Sequence, residues 1–315
     1  MLVAIAFECF CLTTFASDKA PPPFQQQDYI PAPVPALDTA ICTIPFRRLG
    51  NLIIVEAEVN GVKGNFILDT GAPRLVLNLT YFRNAAARPQ TTAGGISGGL
   101  KQALHIDISR FTLGNYKYKK IDADVAPLGH IEDHIKVKIS GLIGVNMLRN
   151  FTMLIDYPNS QLKIKMLKRK ENFSFKNLAT TEIRNLHTLP IRIYYDKILL
   201  SGNLSGKKLN LIIDTGAESN VIDSRLPDAL LEKINVTGRI LLSGASSKKV
   251  EAFNGDLEGL SISGISIKNL PVIVTNLKDM CYAFDFCIDG MLGFDFLSPY
   301  TVEINFAKSE LNLWN

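Results

Sequence analysis

The sequence predicts an all-β protein made of two homologous lobes, and three observations indicate this fold class. Three apolar residues followed by Asp-Thr-Gly-Ala occur twice, at 66–72 and 211–217. Matching positions extend the repeat over most of the chain, with Pro45 and Asp69 recurring 145 residues later as Pro190 and Asp214. The other segments are short, rich in β-branched residues and separated by Gly, Asn and Pro, which is typical of strands joined by turns. Repeats this long are domains, because solenoid units are far shorter.

Composition divides the chain into five segments. We expect a signal peptide at 1–16, a proline-rich linker at 17–43, a first lobe at 44–167, a second linker at 168–181 and a second lobe at 182–315. The first segment is apolar and ends in small residues, which predicts an exported protein. The alternatives for 1–16 are a misassigned start and an ordinary buried segment.

Each repeat opens with the signals of a β-hairpin. Residues 52–59 are rich in β-branched side chains, and Asn60-Gly61 then marks a tight turn into the strand that ends at Asp69. Ser205-Gly206 occupies the same place in the second repeat. Apolar residues at Val76-Leu77 and Val221-Ile222 predict the next strand of each repeat.

The two aspartates carry the chemistry that the sequence predicts. An acid directly after an apolar run is costly to bury unless it is paired or hydrogen-bonded, so two acids in the same context predict two carboxylates in one place. Two adjacent carboxylates cannot both ionise easily and share one proton. Such a pair can activate a water as general base and protonate a leaving group as general acid, with no cofactor and no metal.

These motifs resemble the aspartic protease superfamily, and most closely two-lobed bacterial relatives of the retroviral enzymes. The resemblance rests on the two Asp-Thr-Gly-Ala motifs and on a second signature, in which two apolar residues precede Gly144 and Gly293. It implies two acid-protease β-barrel lobes related by a pseudo-twofold axis, with the active-site cleft between them. It also implies that Asp69 and Asp214 form a catalytic dyad.

The resemblance assigns roles to the other motif residues as well. Thr70 and Thr215 would hydrogen-bond across to the opposite lobe, and Gly71 and Gly216 would allow close backbone approach. Ala72 and Ala217 complete the active-site loops. A glycine-rich segment would form the flap over the substrate; its residues are Gly94, Gly95, Ile96, Ser97, Gly98 and Gly99. The alternative is a plain solvent-exposed hairpin.

The sequence departs from the family pattern near both motifs. Leu75 and Asn220 stand where the family commonly has Ser or Thr, and Arg74 follows the first motif where acidic or small residues are frequent. Arg74 would lie near the substrate cleft. The spacing of His130 and His134 can hold a metal on a helix, but an ordinary polar loop is the favoured interpretation.

We therefore predict an aspartic-type endopeptidase that acts on peptides or proteins as a monomer. The alternatives are a catalytically inactive, two-lobed peptide-binding protein and a dimer whose lobes pair between molecules. A net charge of +4 is too small to indicate nucleic acid as a partner, and no apolar run reaches the length of a membrane span. Cys281 and Cys287 would either form a disulfide or remain free buried thiols.

Overall fold

A computed structural model describes most of both predicted lobes. The described residues are 8–9, 33–35, 41–83, 87–90, 93–95, 98–100, 103–168, 171–178, 185–194, 196–243, 249–284 and 286–315. Strands dominate and the helices are short, so the predicted two-lobed all-β fold is confirmed. Most of the expected signal peptide lies outside the described residues.

The first half of the chain contributes strands to two hydrogen-bonded sets, a small three-stranded sheet and a larger barrel. Its strands are β1 (Glu8–Cys9), β2 (Val34–Pro35), β3 (Cys42–Leu49), β4 (Leu52–Val59), β5 (Val62–Leu68), β6 (Val76–Asn78), β7 (Ala87–Gln90), β8 (Ala93–Gly95), β9 (Gly98–Leu100), β10 (Ala103–Leu113), β11 (Tyr116–Ala126), β12 (Gly141–Ile143), β13 (Phe151–Asp156) and β14 (Gln161–Met166). The helices are α1 (Leu79–Phe82) and α2 (Gly129–Ile135), with 3₁₀ turns at Val145–Met147 and Phe175–Leu178.

The second half repeats the order of these elements with fewer short strands. Its strands are β15 (His187–Tyr194), β16 (Lys197–Leu204), β17 (Lys207–Ile213), β18 (Asn220–Asp223), β19 (Ile234–Ser243), β20 (Lys249–Leu257), β21 (Leu260–Ile262), β22 (Ile265–Ser266), β23 (Leu270–Thr275), β24 (Gly290–Leu292), β25 (Thr301–Asn305) and β26 (Glu310–Trp314). The helices are α3 (Asp228–Leu231), α4 (Lys278–Phe284) and α5 (Phe294–Leu297).

The predicted hairpin turns are present in both lobes. Asn60 and Gly61 have φ angles of 50° and 92°, and Ser205 and Gly206 have φ angles of 51° and 86°. Two successive residues with positive φ form the turn that matches the twist of the flanking strands. The turns align β4 with β5 and β16 with β17, and each second strand runs directly into an Asp-Thr-Gly motif.

Each Asp-Thr-Gly loop is held by a strand from the second signature. In the first lobe β12 lies between β5, which is parallel to it, and β6, which is antiparallel. In the second lobe β24 lies in the same way between β17 and β18. The loop connecting the two outer strands must therefore cross the end of the central strand. Both loops are fixed at the same place in their lobes.

A six-stranded sheet joins the two lobes, in the order β3-β14-β13-β25-β26-β15. Its central pair, β13 and β25, comes from different lobes and aligns Thr152 with Asn305. The main hydrophobic core continues through residues of both halves, and a smaller cluster lies beneath each Asp-Thr-Gly loop, around Ala72 and Ala217. The lobes thus share backbone hydrogen bonds and buried apolar surface.

The segments outside the predicted lobes also contribute structure. Strand β1 pairs with β8, and β2 pairs with β11 of the first lobe. Between the lobes, Ser174 and Phe175 are buried against the shared sheet. Cys281 and Cys287 form a disulfide, and Cys42 is a buried free cysteine. No helix in the described ranges has the length and apolarity to cross a membrane.

Candidate active site

The fold brings the two motif aspartates together. Each lies where a strand ends, and its backbone N–H is held by the second signature: Asp69 N–H donates to Ile143 O and Asp214 N–H donates to Leu292 O, both at 3.0 Å. The Gly71 N–H donates to Oδ1 of both carboxylates, at 2.9 Å to Asp69 and 3.2 Å to Asp214. One backbone donor contacting both side chains requires the two carboxylates to be neighbours across the lobe interface.

Both carboxylates are completely buried, and each has one oxygen held by backbone amides. Ala72 N–H also donates to Asp69 Oδ1, at 3.0 Å, and Gly216 N–H donates to Asp214 Oδ1, at 2.8 Å. The other oxygen of each, Oδ2, accepts no hydrogen bond from the described part of the chain. Each aspartate is therefore oriented through one oxygen and keeps the other for a further partner.

The glycines of the two motifs are required by the opposite aspartate. A Cβ atom added to Gly71 would lie 2.4 Å from Asp214 Oδ2, and one added to Gly216 would lie 2.5 Å from Asp69 Cγ. Real Cβ atoms essentially never approach so closely, so any side chain here would separate the two carboxylates. Glycine is needed for packing across the interface, since neither residue is among those with positive φ.

The threonines connect the loops through four reciprocal hydrogen bonds. Thr70 Oγ1 donates to Ile213 O at 2.9 Å and accepts from Thr215 N–H at 3.0 Å. Thr215 Oγ1 donates to Leu68 O at 2.8 Å and accepts from Thr70 N–H at 3.1 Å. Each hydroxyl satisfies two backbone groups that are buried at the interface between the lobes. The geometry is the one that the resemblance implies for both residues.

The environment of the pair raises the pKa of both carboxyls. Burial is the main cause for Asp69, followed by the charge of Asp214, and its pKa lies well above the usual range. Burial also raises the pKa of Asp214, to about 6, although backbone donors and a nearby lysine oppose the shift. Two adjacent buried acids disfavour double ionisation, so a state with one shared proton is favoured.

Two buried charged residues beside the motif loops were not singled out from the sequence. Lys197, at the start of β16, is 2% exposed, and its Nζ donates to Gly71 O at 2.6 Å. Glu218 directly follows the second motif and accepts a hydrogen bond from Asn51 N–H at 3.1 Å, while His134 Nε2 lies 3.3 Å from its other oxygen. The sequence did contain a signal for Lys197. This lysine lies 145 residues after Leu52, its counterpart in the first repeat, so a charged residue stands where the other repeat has an apolar one.

The glycine-rich segment forms a hairpin as far as it is described. Gly94 pairs with Gly99 and Gly95 pairs with Gly98, across β8 and β9. Ile96 and Ser97 lie outside the described residues. Strand β8 lies beside α4, which belongs to the second lobe. The described part of the hairpin therefore lies against the second lobe.

The positions that depart from the family pattern have local roles. Leu75 is buried in the core, and the Asn220 side chain accepts a hydrogen bond from Gly293 N–H at 2.9 Å, which joins the second loop to its signature strand. Arg74 Nε lies 3.7 Å from the buried carboxylate of Asp124, so its charge has an acidic neighbour within the lobe. Nowhere in the described ranges do three or more potential metal ligands cluster.

Two all-β lobes with facing aspartates define a class of protein, and the comparison with known families agrees with it. The family model described as aspartyl protease matches residues 55–147 and 200–296. The chain belongs to this aspartyl protease family. The two matched regions correspond to the two repeats and contain one aspartate of the pair each. Comparison with curated proteins gave no match.

Proposed function

We propose that this protein is an aspartic-type endopeptidase in which Asp69 and Asp214 form the catalytic dyad. The observation that carries the proposal is the Gly71 N–H that contacts both carboxylates, because it fixes two buried acids from different lobes within one hydrogen-bond network. Family membership supports peptide-bond hydrolysis as the reaction class.

The proposed mechanism uses the oxygens that the backbone leaves without a hydrogen bond. A water between Asp69 Oδ2 and Asp214 Oδ2 would lose a proton to the ionised carboxylate and attack the scissile carbonyl. The protonated carboxyl would donate its proton to the carbonyl oxygen, which gives a tetrahedral diol. The proton taken from water would then pass to the nitrogen as the C–N bond breaks, and the diol would return its proton to the other carboxylate. The raised pKa values support this cycle, because one member of the pair must hold a proton at the working pH.

The alternative within the same fold is a peptide-binding protein without turnover. Two buried carboxylates are a costly feature for a protein that only binds, because burial disfavours their charged forms. Both lobes of one chain supply the site, so we also propose that the monomer is active. The flap hairpin would have to open, because neither aspartate is exposed.

The proposed compartment is one outside the cytosol. The apolar start of the sequence led to this expectation, and the Cys281–Cys287 disulfide supports it, since disulfides persist mainly in oxidising compartments. Within the family, alanine at positions 72 and 217 supports the retroviral-like type that the sequence suggested.

Cleavage of a denatured protein mixture, with and without a transition-state-mimicking inhibitor of aspartic proteases, tests the proposal. Asp69→Asn and Asp214→Asn should each lower kcat/KM by several orders of magnitude, because members of a cooperating catalytic set fail together. Asp156→Asn is the matched control. It makes the same change in the shared sheet, at a position where the second repeat has Asn305.

A single variant with wild-type turnover would show that the dyad assignment is wrong. Inhibitor-sensitive binding of peptides without any cleavage by the wild-type protein would favour the inactive alternative. The rate should also be proportional to enzyme concentration. A specific activity that rises on concentration would instead show that lobes pair between molecules.

A further inference from the structure

A buried lysine stands next to the aspartate pair without a part in the mechanism above. Lys197 begins β16, is 2% exposed and donates from Nζ to Gly71 O at 2.6 Å. Removing an ammonium group from water disfavours its charged form unless nearby groups compensate. The Gly71 carbonyl oxygen accepts the hydrogen bond of the lysine, and the lysine's charge acts on both carboxyls of the pair.

The lysine is linked to Asp69 by a single peptide group. Gly71 O and Ala72 N–H belong to the same amide, whose oxygen accepts from Lys197 and whose N–H donates to Asp69 Oδ1 at 3.0 Å. Hydrogen bonds connected in this way polarise one another, so a charge on the oxygen side strengthens the donor on the nitrogen side. Lys197 therefore acts on Asp69 through the backbone as well as through space.

The first lobe offers no equivalent lysine to Asp214. Leu52 is the counterpart of Lys197 in the first repeat, at the start of β4, and is completely buried and apolar. The symmetry of the two loops is broken there by one positive charge. A pair of acids that shares one proton carries one negative charge, which a single ammonium balances.

Resting on the function proposed above, we propose that Lys197 is a positioning residue of the dyad. Its ammonium, acting through the Gly71–Ala72 amide, stabilises the state in which Asp69 and Asp214 together carry one negative charge. This state is the one that activates water.

The charges around the pair agree with this role. The charge of Lys197 acts on both aspartates, and the charge of Asp214 also acts on Asp69. Lys197 lowers the pKa of both carboxyls, whereas burial raises both. The lysine thus opposes the tendency of the buried pair to take up a second proton.

The test compares Lys197→Gln, Lys197→Met and Lys197→Arg with the wild type. Glutamine keeps a donor for Gly71 O without the charge, methionine removes both, and arginine keeps the charge. Leu52→Met is the matched control, because it changes the symmetry-related position. Two quantities are measured against pH: the ¹³C resonances of the Asp69 and Asp214 carboxyl carbons, and kcat/KM for a cleaved peptide.

Both neutral variants should move the carboxyl transitions, and with them the acid limb of kcat/KM, upward by about one pH unit, the effect of losing a nearby opposite charge. Lys197→Arg and Leu52→Met should keep the wild-type transitions. A glutamine variant that titrates like the wild type would overturn the proposal and leave Lys197 a structural donor. If neither neutral variant folds, the arginine variant decides. Displaced carboxyl transitions in Lys197→Arg would overturn the proposal, and wild-type transitions would support it.

The carboxyl titration separates this inference from the proposed function. It requires no turnover, so displaced transitions in a protein that cleaves nothing would refute the peptidase and retain the role of Lys197. Unmoved transitions in an active peptidase would refute the role of Lys197 and retain the proposed peptidase function.

Discussion

Removing one threonine hydroxyl should destabilise the junction between the lobes by a predictable amount. In Thr70→Val the side chain keeps its shape, but Ile213 O loses its donor and Thr215 N–H loses its acceptor. Thr70 is completely buried, so water cannot replace the lost partners. An unsatisfied buried group costs about 1–3 kcal/mol, and two such groups should lower the free energy of unfolding by roughly 2–4 kcal/mol after local relaxation.

Urea denaturation followed by circular dichroism measures this difference, and Thr70→Ser is the control. Serine keeps the hydroxyl and loses one methyl group, so its cost should be only about 1 kcal/mol. Thr215→Val should behave like Thr70→Val, because its hydroxyl makes the same two bonds in the opposite direction. A loss for valine no larger than that for serine would refute the reasoning, since the two hydrogen bonds of the hydroxyl would then contribute no more than one methyl group.

Two further predictions concern buried carboxylates. The pKa values of Asp69 and Asp214 are raised in the folded state, so their contribution to stability is fully present below the ordinary aspartate pKa of about 4. It is lost as pH rises through about 6 for Asp214 and through the raised pKa of Asp69. Denaturation from pH 4 to 8 should show this decline in the wild type and a smaller one in Asp214→Asn. Glu303 accepts four hydrogen bonds, two of them from Ser174 Oγ and Phe175 N–H of the connection between the lobes. Glu303→Gln should cost about 3 kcal/mol and speed proteolysis within 171–178, and unchanged proteolysis would contradict the anchoring role.

The sequence was sufficient to predict the centre of the site because the chemistry there is local. An acid after an apolar strand, followed by Thr and Gly, specifies a strand end and a tight loop, and repeating it specifies a second one. Asn60-Gly61 likewise specified a hairpin through the conformations that these residues allow. Such features depend on a few consecutive residues, and the structure contains them where the pattern placed them.

The shared sheet and the charged neighbours of the pair depend on contacts between distant residues. The alignment of Thr152 with Asn305 joins strands from different repeats, and each strand pattern alone is compatible with many partners. In the sequence, Lys197 is a single charged residue before an apolar run and belongs to no motif. Its burial follows from the packing of β16 against the first loop, which no local pattern shows.

The duplicated loops have remained alike where each must fit the other. The space for Gly71 is set by Asp214 and the space for Gly216 by Asp69, so a side chain in either loop would displace the aspartate of the other. The threonine bonds impose the same mutual condition. Residues outside these contacts need not fit the opposite loop. The repeats can differ at such positions, as they do at Leu52 and Lys197. At the site, asymmetry can therefore arise around the dyad but not between the two loops, and a lysine acting through a backbone amide distinguishes two acids without altering the contacts between them.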